Sequence, residues 1–233
     1  MPRMETLWVV MPAFNESEAL PCVLREWSAC LRHVVPAHVL CVLDDGSTDP
    51  TPAVLEACRR DMPELMIVRK TNSGHGQTCI EGYRRAIEGG ARWILQIDAD
   101  GQCDPRFFAE FWEHRNENPV QYGFRFRRED GYTRLVISRI VSLVAFLATG
   151  TWVRDPNVPY RLMRADALAP LLPRIPADVY LANILLAVLQ QRETGIRWRP
   201  IVFRKRIGGV PSAKIRGFAK RGWQLYRQLR RSA

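Results

Sequence analysis

No stretch of this 233-residue chain is apolar for long enough to cross a bilayer. The longest uncharged run, Ile140 to Val153, has 14 residues, against roughly 20 for a transmembrane helix. It reads instead as the end of a helix beginning near Tyr132, buried or partly interfacial. Metal-type cysteine pairs are missing as well. The six cysteines, at 22, 30, 41, 58, 79 and 103, never fall in C-x-x-C spacing, which argues against a zinc ribbon and for free thiols in a reducing cytoplasm. No signal-peptide pattern precedes the first apolar run. No low-complexity linker or internal repeat divides the chain, and a hydrophobic share of 47% is enough for the core of one large domain.

Acidic residues are scarce at one end. Residues 192–233 carry thirteen Lys/Arg and a single acid, Glu193, a net of +12, whereas residues 1–191 hold 21 basic and 23 acidic residues, a net of −2. A basic end of this kind seeks an anionic partner: phosphate, lipid headgroups or nucleic acid. No DNA- or RNA-binding motif accompanies the charge, so nucleic acid is set aside. Lys214–Arg231 places Ile215, Phe218, Leu225, Tyr226 and Leu229 on an approximate helical stripe among seven basic residues. That pattern fits either an amphipathic helix on an anionic membrane or a helix docked on the domain with a solvated basic face. The expected division is a domain at 1–213 and a basic helix at 214–233.

What the chain does have is a set of polar turns, each directly behind an apolar run. Leu7–Met11 leads into Pro12-Ala13-Phe14-Asn15-Glu16. Val39–Leu43 leads into Asp44-Asp45-Gly46-Ser47-Thr48-Asp49. Trp93–Ile97 leads into Asp98-Ala99-Asp100-Gly101-Gln102. Continuous Val/Leu/Ile strands alternating with helical segments predict a parallel sheet covered on both faces, and ligands bind such sheets at the carboxyl ends of the strands. Ser17, and the hydroxyls from Ser47 to Thr51, are expected to cap the helices that follow. If the third strand continues through its turn, Asp98, Asp100 and Gln102 share one side of the chain. Two carboxylates and an amide oxygen suit Mg²⁺ or Mn²⁺.

The series PAFNE, DDGSTD, NSGHGQ, DADGQCDP, GFR and DPNVPYR, in this order and spacing, resembles the family 2 glycosyltransferases. The branch it looks most like is that of the dolichol-phosphate mannose synthase-like and polyprenyl-phosphate sugar transferases. The likeness spans roughly residues 5–215. It implies a GT-A fold, that is, a Rossmann-like α/β domain with a mostly parallel sheet. It also implies metal-dependent, inverting transfer of a sugar from a UDP- or GDP-sugar to a lipid phosphate. Transfer to a saccharide or protein hydroxyl, and an inactive membrane-binding protein of the same fold, stand as alternatives.

Carried over residue by residue, the resemblance puts Pro12, Phe14 and Glu16 along the nucleoside. Asp45 accepts from the base, and Asp44 beside it has a more structural part. Asp98, Asp100 and Gln102 become the metal and ribose set. Arg125, in the GFR segment, approaches sugar and phosphates, and Arg134 and Arg139 flank the start of the next helix; a guanidinium recognises phosphate with two parallel hydrogen bonds. Asp155 orients an acceptor or acts as the base that a hydroxyl acceptor would require, with Arg161 as its expected ion-pair partner. Pro159 stands where the family usually has Gly. Arg206, Ser212 and Lys214 close over the donor diphosphate. His75 is set aside, because a lone loop histidine is more often solvated and no partner carboxylate is visible beside it. The implied partners are a nucleotide-sugar, a lipid-phosphate acceptor and an anionic membrane surface. The implied location is cytoplasmic, peripheral on the inner face of a membrane.

Overall fold

In a computed structural model of the chain, residues 6–35, 37–128, 132–179, 181–208 and 218–232 are described, with side chains except at 128, 132–135, 218–221 and 232. Seven strands form one sheet in the order β3-β2-β1-β4-β6-β5-β7. They are β1 Leu7–Ala13, β2 His38–Asp44, β3 Leu65–Arg69, β4 Trp93–Gln96, β5 Val120–Arg128, β6 Arg161–Arg164 and β7 Arg197–Phe203. The helices are α1 Leu20–Val34, α2 Thr51–Arg59, α3 His75–Glu88, α4 Phe108–Glu113, α5 Tyr132–Thr149, α6 Ala165–Leu168, α7 Ala182–Glu193 and α8 Phe218–Ser232.

Strands β1, β2, β3 and β4 pair in parallel, and so do β5 and β7; β6 alone runs antiparallel, between β4 and β5. This arrangement decides where the site lies. The carboxyl ends of six strands share one edge, and because β6 runs the other way its amino end joins them. The loop carrying Asp155, which precedes β6, therefore meets the ends of β5 and β7.

The central strands form because they are mostly apolar. Every residue of β1 and β4 is buried, as expected of strands covered on both faces. Helix α3 lies close against this sheet because residue 82 is glycine: a Cβ there would stand 2.4 Å from Val10 Cγ1. The large side chains Trp27, Phe108, Phe111 and Tyr160 pack among themselves beneath α1 and α4.

The expected capping pattern is replaced by a different one. Neither α1 nor α2 receives a side-chain cap. The hydroxyls instead join the first two turns: Ser47 Oγ accepts from Asn15 N at 2.9 Å, and Thr51 Oγ1 from Glu16 N at 2.9 Å. Asn15 returns the contact, its Oδ1 accepting from Thr48 N at 2.8 Å. Its φ of 56° lies in the left-handed region, which Asn tolerates better than most residues.

Helix α8 is described from Phe218, and residues 214–217 of the expected stripe lie outside the described residues. The helix packs along α5, with Leu225 and Leu229 buried in the common core. Gln228 Nε2 donates to the Asp178 carbonyl at 3.1 Å.

Candidate functional site

Three turns and two loops meet at the carboxyl edge. Pro12 is buried within β1 and Phe14 stands exposed at the lip just beyond it. Asp44 closes its own turn, accepting from Ser47 N at 3.0 Å. Asp45 organises the loop before α3. Its carboxylate accepts from Lys70 Nζ at 2.6 Å, Ser73 N at 2.8 Å and Gly74 N at 2.9 Å. Burial alone would raise the Asp45 pKa, but hydrogen bonds from Lys70, Ser73 and Thr78 outweigh it and hold the group below the usual carboxylate range. Lys70, absent from the sequence reading, is the counter-ion of this site.

The acidic turn is not a continuation of its strand. Strand β4 stops at Gln96, and the chain then turns through Gly101 at φ 79°. Asp98, Asp100 and Gln102 therefore do not form one row, and the alternation expected of them is corrected. Gln96 Nε2 donates to Asp98 Oδ1 at 3.3 Å. Asp100 Oδ1 accepts from Gln102 N at 3.0 Å, and its Oδ2 from Arg206 Nη1 at 3.1 Å. Gln102 turns its amide nitrogen to the Arg204 carbonyl at 3.0 Å. The stretch after β7 closes along this turn, through Arg204 N on Gln102 O at 3.0 Å and Ile207 N on Asp100 O at 2.9 Å. Glycine is required at 101, since a Cβ there would meet Ile207 Cδ1 at 2.5 Å.

Arg206 is the hub. Besides Asp100 it pairs with Glu16 of the first turn and donates to Gly208 O at 2.9 Å. Glu16 is pushed up to about 7, first by desolvation and then by Asp100 and Asp98, against the pull of Arg206. Burial is the main cause of the rise, and the two neighbouring carboxylates add a smaller share, which a divalent cation would relieve. Among the described residues, no three His, Cys, Asp or Glu converge closely enough to hold a metal by themselves. The donor set suits Mg²⁺ or Mn²⁺ taking one or two carboxylates plus water and substrate phosphate oxygens.

His75 belongs in this picture after all. At the first position of α3 it sets Nε2 3.7 Å from Asp98 Oδ1 and 3.7 Å from Cys79 Sγ. The ring is about half exposed, so the desolvation that would lower its pKa is weak, and Cys79 and Asp98 raise it. The carboxylate partner was invisible in sequence because it lies on another strand's turn.

On the far side, Arg125 and Asp155 hold each other. Arg125 Nε donates to Asp155 Oδ2 at 2.7 Å and Nη2 to Oδ1 at 2.5 Å, with Ser138 Oγ on the same Oδ1 at 3.0 Å. The expected partner, Arg161, is fully buried elsewhere, donating to the carbonyls of Val158, Pro156 and Asn183 and to Tyr122 Oη. Its guanidinium supports the loop before β6 and is not paired with Asp155. Pro159, in the place of the usual Gly, is buried, and its carbonyl accepts from Cys103 Sγ at 3.9 Å. Arg139 is exposed on α5. The Arg134 side chain, Ser212 and Lys214 lie outside the described residues.

Residues 8–168 match the family described as Glycosyl transferase family 2. The undecaprenyl-phosphate mannosyltransferase of Micrococcus luteus is 30% identical over 166 residues, 68% of this chain and 66% of that protein. The undecaprenyl-phosphate 4-deoxy-4-formamido-L-arabinose transferase of Serratia proteamaculans is 26% identical over 167 residues, 70% of this chain. The chain spans about half the length of that relative (50%). Among solved structures, glucosyl-3-phosphoglycerate synthase from Mycobacterium tuberculosis, crystallised with Mn²⁺, UDP-glucose and phosphoglyceric acid, superposes with a TM-score of 0.68. The superposition covers 97% of this chain and 80% of that one at 18% identity, a likeness of fold.

Proposed function

The chain belongs to glycosyl transferase family 2, and from that premise we propose that it moves a sugar from a UDP- or GDP-sugar to a polyprenyl-phosphate acceptor, inverting the anomeric centre. The observation that carries this reading is the meeting of Glu16 and Asp100 on Arg206, with Asp98 near enough to raise Glu16. The site is built for charges to be exchanged. Arg206 is held by carboxylates that a cation would take over, which would leave its guanidinium to the donor diphosphate. Bound Mg²⁺ or Mn²⁺ would supply Lewis-acid neutralisation of the leaving diphosphate, with Asp98 and Asp100 as its protein donors. Gln102, whose amide nitrogen is committed to Arg204, is the weakest of the proposed ligands.

Pro12, Phe14 and Glu16 would line the nucleoside, with Phe14 stacking on the base. Asp45 would accept from the base through capacity left after Lys70 and the loop amides, and Asp44 would keep the turn. Arg125 and Arg206 would stabilise charge developing on the phosphates, with Arg134, Ser212 and Lys214 completing the donor enclosure. Residues 1–213 would carry the transfer chemistry and 214–233 the basic helix, on the cytoplasmic face of a membrane. Two relatives named for undecaprenyl phosphate support the acceptor class. So does Asp155. Both of its oxygens are engaged by Arg125, a placement that suits orienting a substrate better than taking a proton from a hydroxyl. A phosphate acceptor arrives ionised and needs no such base.

A donor panel tests this. UDP- and GDP-sugars are incubated with Mg²⁺, Mn²⁺ or chelator, and nucleotide release is read with and without a short polyprenyl phosphate. Metal-dependent release accelerated by the lipid phosphate is expected. Release accelerated only by hydroxyl acceptors would overturn the acceptor, and no donor binding at all would overturn the reading.

A further inference from the structure

Ten large hydrophobic side chains are exposed among the described residues, and seven of them belong to α5, the loop after it and α8. Val136, Ile140, Leu143 and Leu147 follow one another at helical spacing along a single face of α5. Leu147 is 63% exposed. Beside them Phe146 meets Trp152 edge to face, with ring centroids 6.0 Å apart, and Trp152 is itself 51% exposed. The opposite face of α5 carries Ser138, Ser142 and Ala145 toward the protein. On the neighbouring helix α8, Leu225 and Leu229 are spent on packing, while Trp223 stacks on Tyr226 and stays 63% exposed.

Within α5, the loop after it and α8 the charge along the chain has one sign. Residues 132–154 contain Arg134, Arg139 and Arg154 and no carboxylate, and residues 218–232 contain Lys220, Arg221, Arg227, Arg230 and Arg231 and no carboxylate. A second copy of the chain placed on the stripe would bring like charges together, which opposes association. An anionic bilayer offers the complement: headgroups for the arginines, an acyl boundary for the aliphatic stripe, and the interfacial layer that tryptophan favours. No helix of the described residues is long and apolar enough to span a membrane, so the contact is one of lying on the surface.

We propose that α5 is the bilayer-contacting face of the protein: Val136, Ile140, Leu143, Leu147 and Trp152 enter the headgroup–acyl boundary of an anionic membrane, and α8 braces α5 and supplies cations. This assigns the two helices different work from that expected of the basic tail, of whose apolar stripe Leu225 and Leu229 are buried against the domain. It deepens, and rests on, the lipid-phosphate reading above. Ser138 of α5 touches the Arg125–Asp155 pair, so a helix seated at the interface holds that pair at the depth where a lipid phosphate lies.

The test uses the whole chain and vesicles of mixed phosphatidylcholine and phosphatidylglycerol, against pure phosphatidylcholine. The triple variant Leu143→Gln, Leu147→Gln, Trp152→Gln alters only exposed side chains, and its folding is checked by circular dichroism. Wild type is expected to sediment with the anionic vesicles, and the variant to bind about 100-fold more weakly. Brominated lipid should quench wild-type tryptophan fluorescence, with the quenching reduced in Trp152→Phe. Equal binding by the triple variant would overturn the proposal in favour of simple charge attraction. Wild type that ignores anionic vesicles also overturns it, and so does self-association that the triple variant abolishes. Donor binding in solution, measured by calorimetry on both proteins, separates the two readings. Its loss in wild type sinks the transferase reading whatever the vesicles show, and its presence without vesicle binding sinks only the membrane face.

Discussion

The two flanks of the site are held by different forces. On the flank of β1 and β2, the turns at Asn15–Ser17 and Ser47–Thr51 are tied by backbone amides donating to side-chain oxygens, and Asp45 anchors the next loop on two more amides together with the ammonium of Lys70. On the flank of β5 and β7, the contacts are charge on charge: Arg125 with Asp155, Arg206 with Glu16 and Asp100. Amides already spent on side-chain oxygens have little to gain from an incoming anion, and Lys70 is enclosed on Asp45. A guanidinium shared among carboxylates does, because a diphosphate offers it charge-assisted bonds of the same geometry. The first flank is thus preorganised, and the second can trade partners when a substrate arrives.

The sharpest way to break this comparison is Asp100→Asn. It keeps the shape of the turn but removes a charge from the exchanging flank, and should cut metal-dependent nucleotide release by about a hundredfold or more, with little change in melting temperature. Full activity would return Asp100 to a merely structural part.

Glu16→Gln tests the same flank through pH. The folded pKa of Glu16, about 7, exceeds the ordinary 4.5, so the native state binds the proton more tightly than the unfolded chain. The associated stability is complete below about pH 4.5 and is lost as pH rises through about 7, by on the order of 1–2 kcal/mol once solvent screening of this partly exposed group is allowed for. Urea unfolding at pH 5 and pH 8 should show wild type losing more stability than Glu16→Gln over that interval. Parallel curves would contradict the electrostatic account.

On the preorganised flank, Asp45→Ala should behave in the opposite manner. It strands Lys70 and two loop amides, and should cost about 2 kcal/mol of stability, a fall of roughly 4–8 °C in Tm. Donor affinity should weaken along with it. Unchanged Tm with weakened donor binding would make Asp45 a ligand-reading residue and not an anchor.

The smallest effect is expected from Ser138→Ala, which removes one hydrogen bond to Asp155 and leaves the Arg125 pair. A loss of about 1 kcal/mol, read as roughly fivefold in kcat/KM for lipid-phosphate transfer, should appear without a change in donor binding.

Much of this could be read from the chain alone, and the reason is locality. Strands β1, β2 and β4 stood out as unbroken apolar runs, and the acidic and Asn-bearing turns behind them were legible as the ends that face a ligand. Charge segregation along the chain was equally plain. What could not be read was which residue meets which. Glu16 and Arg206 are 190 positions apart, His75 finds Asp98 across two different strand ends, and the hydroxyls at 47 and 51 turn away from their own helices to bind the first turn.

Those pairings depend on strand order. A single antiparallel strand, β6, slides between β4 and β5 and brings the Asp155 loop to Arg125 instead of Arg161. The same holds for the helices: amphipathic spacing announced an apolar stripe on α8, but packing against α5 decided that its Leu225 and Leu229 are buried, while an exposed apolar stripe runs along α5. Periodicity is a property of neighbours in the chain and survives in the sequence. Partnership between distant charges and between helix faces is set by how the sheet is wound, because only there do the competing partners acquire distances.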